Sequence, residues 1–351
     1  MTPAPLSPVR TPPALTWRAV REALGVHGRP VQSPGAGAAS LEVTLPSSEP
    51  PRTRAAALLH DGWLRAHHVA PDDIPGRAAA HSPPIGAFCD GVQESRVVAW
   101  VGAIPVVHAR AAAVVRVRRD RRLATWGDGM QAADALYLPV QAVPSDVRRA
   151  LGALGVAIVD TGAEELAPEE THPQLLLRRA VHLVQRAREA LECTLAERWC
   201  ADERALLYLD GGLPASASVL ASGRAVGVVK SHHTLYAAGA ALAAVMSLGA
   251  GERSSVLVVE TRWRPPVASW YLRLRAADGG DPLWGIARLE YPLDALRWGG
   301  ADPDETANAL SRAVLAEAAP LALPDARWDT MAYGIRDCEV YLRAALGRLA
   351  R

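Results

Sequence analysis

Two apolar runs in this chain each end on an Asp-Gly step: Ile85-Gly86-Ala87-Phe88-Cys89-Asp90-Gly91, and Ala205-Leu206-Leu207-Tyr208-Leu209-Asp210-Gly211-Gly212-Leu213. Runs of this length fit buried strands. A carboxylate closing each run would stand at a sheet edge, where the interior can open to solvent. Between the runs, residues 173–199 carry Leu175, Leu176, Val181, Val184, Leu191 and Leu195 at the spacing of one long amphipathic helix. Asp-Gly is also a favoured hairpin turn, so each aspartate keeps a purely structural alternative.

The rest of the chain fills in a layered domain. Strands are expected at 85–89, 96–104 and 106–117, opening an antiparallel meander, with shorter ones at 136–140 and 156–160. A helix over 145–154 would be capped by Ser145 and Asp146. After the second Asp-Gly step come a strand at 225–229, an Ala-rich helix over 234–248, strands at 255–260, 269–274 and 283–291, and helices near 304–319 and 335–349. Strands first, then strands and helices mixed, predict a three-layer α/β domain with a mixed sheet. Residues 1–80 read as a Pro-rich, partly helical arm, with a helix near 17–24 and an amphipathic helix over 52–67; residues 81–351 form the main domain.

Composition narrows the partners. The formal net charge of +1 excludes a bulk polycation, so any nucleic-acid surface must be a local patch. The cysteines Cys89, Cys193, Cys200 and Cys338 make no CxxC pair, which argues against structural zinc and for reduced thiols. With no signal pattern at the start and no apolar run of membrane length, a soluble cytoplasmic protein is expected. Lys230 is the only lysine. It follows the strand at 225–229, and its compact charge suits a phosphate. The densest basic run is Arg116, Arg118, Arg119, Arg121 and Arg122, either a phosphate-contacting hairpin or a solvated turn.

Carboxylates from distant parts of a chain suit a hard divalent cation such as Mn²⁺ or Mg²⁺. The helix between the two runs adds Glu189 and Glu192 on one face and Glu197 on another. Such a set fits phosphodiester hydrolysis, in which cations stabilise the attacking and leaving oxygens.

Taken in order, Ala87-Phe88-Cys89-Asp90-Gly91, the 186–199 helix, Leu206-Leu207-Tyr208-Leu209-Asp210-Gly211-Gly212-Leu213 and Ala225-Val226-Gly227-Val228-Val229-Lys230-Ser231 resemble the NurA nuclease family, with a looser match at Tyr333-Gly334-Ile335. The resemblance implies an RNase H-like fold, a manganese-dependent nuclease acting on DNA, a homodimer, and partnership with HerA, a hexameric DNA-translocating ATPase, in end resection and double-strand break repair. It implies catalytic roles for Asp90, Glu192 (Glu189 as alternative), Asp210 and Tyr333. The family often carries a histidine after that tyrosine, and this chain has none beyond His233, which leaves Asp337 or Glu339 in its place. The expected metal ligands are therefore Asp90, Glu192, Asp210 and Glu339, and the expected DNA contacts Lys230, Arg116, Arg118 and Arg119. The missing histidine also admits a catalytically degenerate dimeric partner of the ATPase.

Overall fold

The computed structural model describes residues 17–25, 50–60, 62, 64–69, 84–120, 122–162, 172–262, 264–276, 281–318 and 332–349. The expectation for Arg121 and most of the N-terminal arm lie outside them.

The chain builds a mixed α/β domain on a 12-stranded sheet. Strands β4 (Ile85–Val101), β5 (Ile104–Arg119) and β6 (Arg122–Leu138) form a long antiparallel meander. β5 is Ala- and Val-rich and buried along nearly its whole length, as a strand covered on both faces must be. The expected strands at 85–89 and 96–104 are thus one strand, and the expected 136–140 strand is the end of β6. Gly102, at φ 62°, makes the two-residue turn between β4 and β5.

After β7 (Ala157–Asp160), helix α3 (Pro173–Asp202) crosses back to β8 (Leu206–Asp210), which lies parallel to β4. Helix α4 (Ala217–Ser222) then leads to β9 (Ala225–Val229), parallel to β8. The spatial order β6–β5–β4–β8–β9 is the RNase H-like arrangement. Strands β14 (Ile286–Pro292), β13 (Arg264–Arg273) and β12 (Leu257–Thr261) extend the sheet beyond β9 as antiparallel neighbours.

Helices cover both faces. α3 starts on Pro173, with His172 Nδ1 accepting the Gln174 amide at 3.2 Å. Its buried stripe, including Leu191, Leu195 and Trp199, packs on Ala87, Cys89, Leu207 and Leu209. Full burial of one such leucine contributes roughly 1.5–3 kcal/mol. On the opposite face, Leu310 and Val314 of a helix over Pro303–Glu317 and Ile335, Cys338 and Leu342 of the terminal helix Tyr333–Leu349 close over Phe88, Tyr208 and Val226. Gly334 rests on the Phe88 ring, which leaves no space there for a Cβ. Among the described residues no helix is long and apolar enough to cross a membrane.

Four local expectations are corrected. Residues 52–67 do not form a helix: β2 (Ala57–Leu58) pairs with β12, and β3 (Ala66–His68) with β11 (Glu252–Ser254), so open sheet edges claim this backbone. The 234–248 helix shortens to Ala240–Met246, because Thr234–Leu235 pairs with Arg52–Thr53 and Gly239, at φ 55°, breaks the run. The helix at Ser145–Gly152 has Pro144 at its N-cap and no side-chain cap. The strand expected at 269–274 begins earlier, at Arg264, which is ion-paired with Glu290.

Candidate active site

The register Cys89↔Leu209 makes Asp90 and Asp210 neighbours across the parallel β4–β8 pair. Side chains alternate along a strand, so the two aspartates share the face that Phe88 and Tyr208 turn toward the terminal helix. Asp210 closes β8 while β4 runs on past Asp90, so the two stand where β8 ends partway along β4. Lys230, just past β9, sets Nζ 2.7 Å from Asp210 Oδ1.

Glu192 approaches from the other face. Its carboxylate lies over Gly91, where a larger residue would collide with it. Arg188, one turn earlier on α3, holds Glu192 through Nη1 and donates from Nε to Gln93 Oε1 of β4 at 3.1 Å. Glu189 is half exposed and accepts from Gln185 at 2.8 Å, so Glu192 is the glutamate turned inward. Glu197 accepts from Ser216 Oγ, the N-cap of α4, at 2.6 Å. A cavity of about 290 Å³, lined by Arg188, Glu192, Asp210, Gly211 and Gly212 among others, opens beside the cluster.

The electrostatics are those of crowded like charges. Burial drives the Asp90 carboxyl well above the usual carboxylate range; Asp210 and Glu192 add to the rise, while Lys230 and the Gly91 amide oppose it. That amide donates to Asp90 Oδ1 at 2.8 Å. Burial lifts Glu192 to about 7 against the pull of Arg188.

Several of the other predicted residues are engaged with partners of their own. Arg116 is committed to Asp337 at 2.6 Å, Thr125 at 2.7 Å and the Leu123 carbonyl at 3.0 Å. Arg118 forks onto Glu317 at 2.7 and 2.6 Å, near Ile85 at the start of β4. Arg119 pairs with Arg122 across the tip of the β5–β6 hairpin. Glu339 is bonded by Arg336 at 2.9 Å on its own helix, and Tyr333, 46% exposed, opens that helix. His232 Nε2 lies 2.9 Å from the Ile286 carbonyl. Trp270 is core, bonded to Ser311 at 2.9 Å, whereas Trp298 is exposed. All four cysteines are free thiols.

A second ionic cluster was not anticipated from the sequence. Glu290, fully buried on β14, accepts from Arg264 at 2.7 and 2.6 Å and from Arg288 at 2.5 Å. The available signal was the pair Arg288 and Glu290, two apart in an otherwise apolar strand and hence on one face.

No known family profile matches the sequence, and no curated protein matches it. Among solved structures the chain is similar to the NurA nuclease from Sulfolobus solfataricus, at 9% identity and a TM-score of 0.42, over 74% of this chain and 79% of that one. Likeness of that degree transfers neither activity nor residue roles.

Proposed function

We propose that this chain is a NurA-like, divalent-metal-dependent DNA nuclease. One observation carries the reading: Asp90 and Asp210, 120 positions apart in sequence, become neighbours on parallel strands, with Glu192 reaching the same strand from the helix opposite. Unlike a structural ion pair, this cluster holds more carboxylate than counter-charge, and burial, with neighbouring carboxylates adding to it, pushes Asp90 and Glu192 upward.

Asp and Glu oxygens suit Mn²⁺ or Mg²⁺ in kind, and Asp90, Asp210 and Glu192 would hold the cation. When bound, such a cation activates water and stabilises the departing oxygen of a phosphodiester. Lys230 neutralises Asp210 and stands ready to meet a phosphate. In the same reading the enzyme works in the cytoplasm as a homodimer with a HerA-type hexameric ATPase, in resection of broken DNA ends.

A second reading has its own observation. Among the described residues no three His, Cys, Asp or Glu side chains already form a metal-ligand group. Lys230 occupies Asp210, Arg188 occupies Glu192, and Arg336 occupies Glu339. A non-cutting partner of the ATPase would keep such internal pairs. The test is cleavage of single- and double-stranded DNA with and without Mn²⁺, alone and with the ATPase. Mn²⁺-dependent cutting that disappears in Asp90→Ala and Asp210→Ala supports the nuclease; no cutting under any condition supports the non-cutting partner.

A further inference from the structure

We propose that the buried Arg264–Glu290 pair is a positioning device that fixes Asp210 by clamping the backbone of Leu213; its catalytic meaning rests on the nuclease reading above, its geometry does not. After Asp210 the chain must leave the sheet sharply. Gly211 takes φ 114°, a conformation that disfavours any side chain, and its amide donates to the Val228 carbonyl at 3.0 Å. The turn then crosses directly over β9 at Gly227, where an added Cβ would lie 2.8 Å from both the Gly211 oxygen and the Leu213 nitrogen.

Leu213, itself buried, is met by the ion pair. Its amide donates to Glu290 Oε2 at 2.9 Å, and its carbonyl accepts from Arg264 Nη1 at 2.6 Å. The same Arg264 donates to both oxygens of Glu290, and Arg288 braces Glu290 from its own strand. Gly212 lies so close that a Cβ there would stand 2.9 Å from Glu290 Oε2. Both backbone polar groups of one residue are thus held by charged partners from β13 and β14. A buried ion cluster is a poor way to gain stability, since apolar residues of equal volume serve as well or better. It is a good way to hold a turn in one place, because a bidentate fork has little angular slack.

The test uses the full chain and its only lysine. Reductive ¹³C-methylation gives Lys230 the one lysine NMR signal, and that signal reports on the 2.7 Å pair with Asp210 without any need for metal or activity. Arg264→Gln, Arg264→Lys and Gly227→Ala are compared with Asp210→Asn as the broken-pair reference and Arg253→Gln as a control. Arg253, on β11, is more deeply buried and pairs with Asp304 at 2.8 Å. Arg264→Gln and Gly227→Ala are expected to move the Lys230 signal toward its Asp210→Asn position and to weaken Mn²⁺ binding about tenfold. Arg264→Lys is expected to fall between, and Arg253→Gln to lower Tm without moving the signal. Folded Arg264→Gln and Gly227→Ala with the wild-type signal overturn the proposal; if Arg264→Gln does not fold, Gly227→Ala and Arg264→Lys decide it. A wild-type protein that neither binds Mn²⁺ nor cuts DNA overturns the nuclease reading, while the lysine signal still decides the clamp.

Discussion

Glu192 and Glu290 are both buried glutamates bonded by arginine, yet they are driven in opposite directions. Burial raises Glu192 to about 7, with Arg188 opposing. Burial also works to raise Glu290, but Arg288 and Arg264 overcome it and hold the carboxyl at about 2. Counter-charge makes the difference. Glu290 has two guanidiniums to itself, whereas Glu192 has one and feels Glu189 and Asp210 besides. A carboxylate saturated with internal partners is a structural fixture; one left short of cation is a place where a cation from solution gains most.

The contrast breaks first at the aspartates. Asp90→Ala or Asp210→Ala should fold and lose Mn²⁺-dependent cleavage on the order of a thousandfold, since bound cations supply several kcal/mol of charge stabilisation. Removing the saturated glutamate should instead damage the fold. Glu290→Ala leaves two buried guanidiniums unpaired and should cost about 3–5 kcal/mol in urea unfolding. Because the folded Glu290 lies below its usual 4.5, its contribution is present above about pH 4.5 and is lost as pH falls toward about 2, a loss the variant should not display.

Glu192 should behave with the reverse sign. Its folded value lies above 4.5, so charging it costs stability as pH rises through about 7. Glu192→Gln should therefore match the wild type below about pH 4.5, pull ahead as pH rises, and exceed it above about pH 7 by up to about 3 kcal/mol, while binding Mn²⁺ more weakly. A thermal-melt series across that range reads the crossover; parallel curves would remove Glu192 from the crowded cluster. The smallest effect belongs to an exposed pair. Arg118, 41% exposed against Glu317, should on replacement by Ala change stability by under about 1 kcal/mol and leave cleavage unchanged.

Sequence patterns marked out the paired strands of Asp90 and Asp210 more readily than the edges of the fold. Asp90 and Asp210 were legible because an apolar run ending in a carboxylate is a strong local pattern, and α3 because its stripe persists for many turns. β6 was missed over most of its length because Ala, Gly and polar residues blur its alternation. Residues 52–67 read as a helix because their pairing partners, around Thr234, Glu252 and Leu257, lie far away in sequence and only the assembled sheet supplies them. Arg264 sits before two prolines, ahead of the strand expected at 269–274, and Glu290 reads as one more charge on a strand. Nothing local reveals that they meet over the Asp210 turn.

The seating of Gly334 on Phe88 has a consequence for water. Phe88 stands two positions before Asp90 on the same side of β4, so the first turn of the terminal helix is a stopper pressed down next to the more deeply sunk of the two aspartates. Any bulkier residue at 334 would prop the stopper up and let solvent reach Asp90 from behind, easing the burial that drives its carboxyl upward.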